Sequence, residues 1–219
     1  MGTHYPVLPI DRSVWEAALS PSQYFESLQS HKRLVGELQR DLRIEREDAE
    51  LVIGALFAPA DVDAEESDSR ELFALAMTED WCGDSAHVLP YIARLTETIH
   101  LPMRIIRRST HEDLAAWYRE QGTEQIPVLS VGTIDGGSFV ELARWVERPQ
   151  AAADRIEEWR QANPRFVALN GSDRSEEEER EYRVLYARLL HEMKTWYRDQ
   201  GLWRTIAQEL AAALAPGQE

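Results

Sequence analysis

Between residues 71 and 162 the apolar positions alternate between short runs of strand length and stripes at helical spacing. "ELFALAM" (71–77) and "MRIIRR" (103–108) are compact apolar runs, as are "IPVLSVG" (126–132) and "FVELARWVE" (139–147). The last two are separated only by "TIDGG", which predicts a hairpin. Between the first two runs, Val88, Leu89, Ile92 and Leu95 recur on one side of a helix expected from about Ser85 to Ile99. A second helix, "HEDLAAWYREQG", ends at Gly122, and "AAADRIEEWRQA" forms a third after Pro149 closes the sheet region. The resulting order is β-α-β-α-β-β-α. Alternating strands and helices argue for a parallel start to the sheet, and the hairpin supplies an antiparallel edge.

Both ends of the chain read as helix. Ser20, Pro21 and Gln23 form an N-cap, a first-turn proline and a capping box ahead of Tyr24, Phe25, Leu28, Leu34, Val35, Leu38 and Leu42, with a break near Ser30. "EDAELVIGALFA" predicts another helix that stops before Pro59, and "PADVDAEESDSR" (59–70) reads as an acidic surface linker. Ser175 with Glu178 forms a second capping box, followed by two helices separated by Gly201, with Trp196 and Trp203 on their core faces. The acidic run Glu176–Glu179 suits a solvated first helical turn. These patterns divide the chain into an N-terminal helical extension (1–64), an α/β core (65–165) and a C-terminal helical extension (166–219).

Composition narrows the function classes. With 24 basic and 39 acidic side chains the formal charge is −15, which opposes binding to nucleic acid or to an anionic membrane. No apolar stretch approaches a membrane span, and the N-terminus lacks a basic region followed by an apolar run. Only one cysteine is present. An intrachain disulfide is therefore excluded, consistent with a reducing, cytoplasmic setting. The histidines show no metal-ligand spacing, and no triad, P-loop or dinucleotide fingerprint occurs, so neither metal nor cofactor is expected.

That cysteine, Cys82, stands in "TEDWCGDSAHVLP" (78–90), directly after a strand and just before a helix. A thiolate is the nucleophilic form of cysteine, and unpaired backbone N–H groups at a helix N-terminus favour it. Asp84 opposes this with its own charge. The helix end leads us to expect a thiol pKa below the ordinary value of about 8.5. Trp81 could shield the sulfur, Gly83 permits a tight turn, and Ser85 can offer a hydroxyl across the first turn. His87 sits five residues from Cys82, about 140° around a helix, and is a poor partner for the sulfur.

The segment resembles the active-site region of the thioredoxin superfamily, W-C-G-x-C followed by a proline in the same helix. Trp81, Cys82, Gly83 and Pro90 match, and "EQIPVL" supplies the family's second hallmark as Ile126–Pro127. It is most similar to a poorly characterised bacterial thioredoxin-like family with TE-x-WCGD, an IP segment and a tryptophan-bearing strand before RP, here "RWVERP". The resemblance implies an α/β thioredoxin fold, a central mixed four-stranded sheet flanked by helices, with extra N- and C-terminal helices. It also implies a cis bond before Pro127, Cys82 as nucleophile with Ser85 donating to its thiolate, and a substrate-facing surface of Trp81, Gly83, Asp84, Ile126 and Pro127. Two departures limit the implied activity. Ser85 replaces the resolving cysteine, and Ala76 replaces a buried aspartate that accepts a proton. A monothiol protein that forms mixed disulfides with a protein or low-molecular-weight thiol is then the expected function. The rival is a redox-inactive binding module on the same fold, which a buried Cys82 would favour.

Overall fold

The computed structural model describes residues 6–57, 71–171, 173–199 and 201–215. Among these, five strands form one mixed sheet in the order β1-β5-β4-β2-β3. Toward one edge β2 (Leu72–Thr78) runs parallel to the edge strand β3 (Met103–Arg107), in register from Ala74↔Met103 to Thr78↔Arg107. On its other side β4 (Val128–Asp135) is antiparallel, from Leu72↔Thr133 to Met77↔Val128. β4 turns into β5 (Ser138–Val146) through Gly136 and Gly137, both at positive φ (54° and 87°), as a two-residue hairpin of type I′ requires.

Burial follows the sequence pattern. Every second residue of β5 is buried, whereas β2 is buried at six consecutive positions because helices cover both faces of the sheet there. Along β2, side chains of Phe73, Leu75 and Met77 enter one core and those of Ala74 and Ala76 the other. The larger core draws in α2 (Pro21–Ser27), α3 (Lys32–Asp41), α4 (Arg46–Leu56), α5 (Gly83–Thr98), α7 (Gln150–Ala162), α8 (Pro164–Leu169), α9 (Glu176–Asp199) and α10 (Leu202–Leu214). The smaller contains Leu8, Trp15 of α1 (Arg12–Ala17), and Leu114 and Tyr118 of α6 (Glu112–Glu120). Cys82 and Ile126 belong to this smaller core.

The sheet has a fifth strand that the four-stranded expectation lacks. β1 (Val7–Asp11) lies in the segment read as purely helical and pairs antiparallel with β5 at the sheet edge. It places Leu8 and Ile10 inward (2% and 6% exposed), and the intervening Pro9 is tolerated because an edge strand needs few donors. The short helices α1 and α8 were likewise not expected. The expected break near Ser30 is real, with His31 in the left-handed region (φ 58°) separating α2 from α3. Both capping boxes form, Gln23 N donating to Ser20 Oγ (3.3 Å) and Glu178 N to Ser175 Oγ (3.3 Å). The acidic segment 59–70 lies outside the described residues.

Helices from both ends close over the same core. α10 lies beside α4, and its Glu209 accepts from Trp145 Nε1 of β5 at 2.9 Å. α9 crosses the start of α5 and is tied to α3 by Lys194 and Glu37 at 2.5 Å. No helix among the described residues is long and apolar enough to cross a membrane.

Candidate functional site

Cys82 is the N-cap of α5, in extended backbone conformation directly beyond the end of β2. Its position follows from the local sequence. β2 runs out at Thr78, the Glu79–Trp81 turn brings Cys82 N to Glu79 O (3.1 Å), and Gly83 starts the helix. The sulfur accepts from Ser85 N at 3.4 Å and donates to Ile126 O at 3.3 Å. The Ile126–Pro127 bond is cis, and both residues are buried. The structure thus brings Cys82, Ser85 and the Ile126–Pro127 loop together around one sulfur.

Ser85 is held from behind. Thr78 Oγ1 donates to Ser85 Oγ at 2.5 Å, which leaves the Ser85 proton free to turn toward the sulfur. Thr78 belongs to the TE-x-WCGD pattern, although the sequence assigns it no task.

The thiol is not acidic, contrary to the expectation from the helix end alone. Cys82 is 6% exposed, and burial pushes its pKa up from the ordinary value. Hydrogen bonds from Ser85 side chain and backbone pull it down, and the Asp84 charge adds a further upward push. Desolvation of the charged form dominates. The donor role toward Ile126 O is that of a protonated sulfur.

Asp84 turns away from the sulfur into the protein. Burial pushes its carboxyl up to about 6 against the pull of Arg148, whose guanidinium donates to Asp84 Oδ2 at 2.7 Å. Arg148 also pairs with Glu147 and comes from the RWVERP segment. Asp84 Oδ1 and Arg148 Nε have no protein partner, as does the buried Tyr197 Oη. His87 is fully buried, with Gly83 O 2.7 Å from Nδ1 and Leu190 O 3.1 Å from Nε2. Burial pulls its pKa down to about 4, so the ring is neutral at pH 7, donates its one N–H to only one of these carbonyls, and packs α5 against α9 by stacking on Tyr197 at 5.6 Å. It does not reach Cys82.

Trp81 is 56% exposed, and Arg108 stacks over its ring at 5.6 Å. The turn bearing it is gripped by the α2–α3 connection. His31 Nε2 lies 3.1 Å from Trp81 O, Gln29 N donates to Asp80 Oδ2 (3.1 Å), and Arg107 donates to Asp80 Oδ1 (2.8 Å). A narrow cleft beside Cys82, too tight to admit a water molecule, is walled by Tyr24, Phe25 and His31. Across the helix start, Tyr186 and Leu190 of α9 lie against Gly83 so closely that a Cβ there would stand 2.6 Å from Tyr186 Oη and 2.8 Å from Leu190 Cδ2. Glycine at 83 is therefore fixed by close approach, not by backbone conformation. Sequence reasoning missed Tyr186, Leu190 and His31. Helical periodicity marks which face of α9 is apolar, and nothing in it names the element covered. Among the described residues no three His, Cys, Asp or Glu side chains converge as a metal-binding group.

Comparison with known proteins bears on the fold and the family. A solved HIV epitope-scaffold is 16% identical over 92% of this chain and 95% of its own, with a TM-score of 0.54. A protein of unknown function from Pseudomonas aeruginosa is also 16% identical, over 88% of this chain and 99% of its own, with a TM-score of 0.49. No curated protein matches. A family model described as thioredoxin matches residues 21–160, more than half of the 219 residues, from α2 through the whole α5–β5 unit to α7. The chain belongs to this thioredoxin family.

Proposed function

We propose that the protein is a monothiol thioredoxin-like protein that forms mixed disulfides through Cys82. The observation that carries this reading is the sulfur at the start of α5, held between Ser85 N–H and the Ile126 carbonyl. In the step, Cys82 loses its proton to solvent and the thiolate attacks one sulfur of a partner disulfide. The new Cys82–sulfur bond forms as the partner's S–S bond breaks, and the second partner sulfur leaves as thiolate. Ser85 cannot repeat the attack, so release requires a thiol from solution. A single cysteine and a charge of −15 support a reducing compartment and a partner that is neither nucleic acid nor membrane.

One observation favours the rival reading of a redox-inactive binding module: the sulfur is buried and its pKa is raised. Iodoacetamide labelling of the folded protein, followed by intact mass, decides between them. Under the mixed-disulfide reading Cys82 labels in the folded state, slowly, with a midpoint above the ordinary cysteine value of about 8.5. Labelling only after denaturation would establish the binding module.

A further inference from the structure

A second space in the molecule is unexplained by packing. A cavity of about 380 Å³ opens between α2, α3 and α5, within the range of about 300–1,000 Å³ of ordinary small-molecule sites. Packed interiors leave few voids larger than a water molecule. Phe25 is the one residue that lines both this cavity and the cleft at Cys82, so the two are separate spaces. The inner surface is apolar and buried, formed by Phe25, Leu42, Pro90, Leu101 and Met103. Pro90 brings no N–H to it, and Ala93, one turn on along the same face of α5, is too short to fill the space. The Phe25 ring and the Met103 thioether both favour contact with an aromatic ring.

The polar side chains around the cavity are committed, with one exception. Thr96 Oγ1 lies 3.0 Å from Ala93 O and 3.4 Å from Met103 Sδ, and Ser22 Oγ is 3.0 Å from Ser20 Oγ. At the mouth the Arg94 guanidinium donates to Glu97 Oε2 at 2.9 Å, so this pair carries no net charge. The Gln39 amide makes no hydrogen bond among the described residues and keeps both a donor and an acceptor for a ligand. An anion would meet Glu97 and the field of a chain of formal charge −15, and a cation would find no unpaired carboxylate in the lining. We propose that this cavity binds an uncharged, flat aromatic small molecule with one hydrogen-bonding group, seated on Phe25 and Met103 and held by Gln39. The site is independent of the chemistry at Cys82.

The experiment titrates the full chain with N-phenyl-1-naphthylamine, an uncharged fluorescent molecule with one N–H, and with 1-anilinonaphthalene-8-sulfonate, which adds only a sulfonate. Wild type should give a saturable fluorescence rise with the neutral probe and bind the sulfonate at least about tenfold more weakly. Gln39→Leu keeps the bulk and should weaken the neutral probe by about three- to tenfold, the worth of one hydrogen bond. Ala93→Trp fills the cavity and should abolish saturable binding. Should that variant not fold, Ser22→Trp blocks the mouth from an exposed position, and the same loss is expected. No saturable binding to folded wild type, or unchanged binding in the folded tryptophan variant, would overturn the site. Sulfonate binding as tight as that of the neutral probe would overturn the uncharged class, and wild-type affinity in Gln39→Leu would overturn the polar contact.

Discussion

Two helix starts in this molecule carry the same kinds of groups and end in opposite states. α9 begins with Ser175 as cap and four consecutive glutamates in its first turn, of which Glu176 and Glu177 are exposed and Glu178 and Glu179 partly so. A backbone hydrogen bond at Ser175 holds Glu178 below the usual carboxylate range, and hydrogen bonds from Arg183 and Arg174 do the same for Glu179. α5 begins with Cys82 as cap and Asp84 in its first turn, both enclosed, and both are pushed toward the protonated form. The partial positive charge of a helix start is common to the two. Hydration is what differs, and in α5 its loss outweighs the helix end, the Ser85 donors and even the Arg148 ion pair. A helix N-terminus activates a thiol only as far as water is left around it.

The largest test of this contrast is Asp84→Asn. Folded Asp84 keeps its proton up to about pH 6, whereas the unfolded carboxyl loses it near 3.8. Between these values the folded chain binds more protons than the unfolded one, so the contribution of Asp84 to stability falls as pH rises and is flat above about 6. A shift of roughly two units corresponds to about 3 kcal/mol lost across that window, at about 1.4 kcal/mol per unit. Buried His87, whose pKa falls from 6.5 to about 4, contributes the opposite slope over the same window, so urea unfolding from pH 4 to 7 should show the decline as the difference between wild type and Asp84→Asn. The same slope in both proteins would mean that Asp84 is hydrated after all.

Gly83→Ala comes next and tests the enclosure directly. The added methyl meets Tyr186 Oη and Leu190 Cδ2 well inside contact distance, and overpacking of this kind costs about 2 kcal/mol. Thermal unfolding should report it, and Cys82 should label faster as α9 is pushed outward. A neutral Gly83→Ala would show that α9 yields easily. The smallest effect belongs to the solvated helix start. Ser175→Ala removes one side of its capping box and should lower Tm by about 2–4 °C, from about 1 kcal/mol, with no change at Cys82.

The two helix starts were also unequally legible in the sequence. Ser175 with Glu178 announces its cap within four residues, because both partners are local. The α5 start was legible as chemistry, since Trp81, Cys82, Gly83 and Pro90 form a motif and Ile126–Pro127 a second. Its environment was not, because the groups that decide it are distant: Arg148 is 64 residues from Asp84, and Tyr186 is farther from Cys82 still. The fold divides the same way. β5 declares itself by alternation, as do the β2 and β3 runs by length and apolarity. β1 is short, interrupted by Pro9, and becomes a strand only because β5 offers it an edge more than a hundred residues away.

The burial of the sole thiol also makes the molecule its own stopwatch. With one thiol per chain, any reagent uptake reports a single event, the opening of the wall over Cys82. At dilute reagent the uptake rate measures how often the wall stands open, multiplied by the reactivity of a free thiol. In large excess the rate stops rising with concentration and becomes the frequency of opening itself. The passage between these two regimes separates how rarely the site opens from how long it stays open, with no label or probe added to the protein.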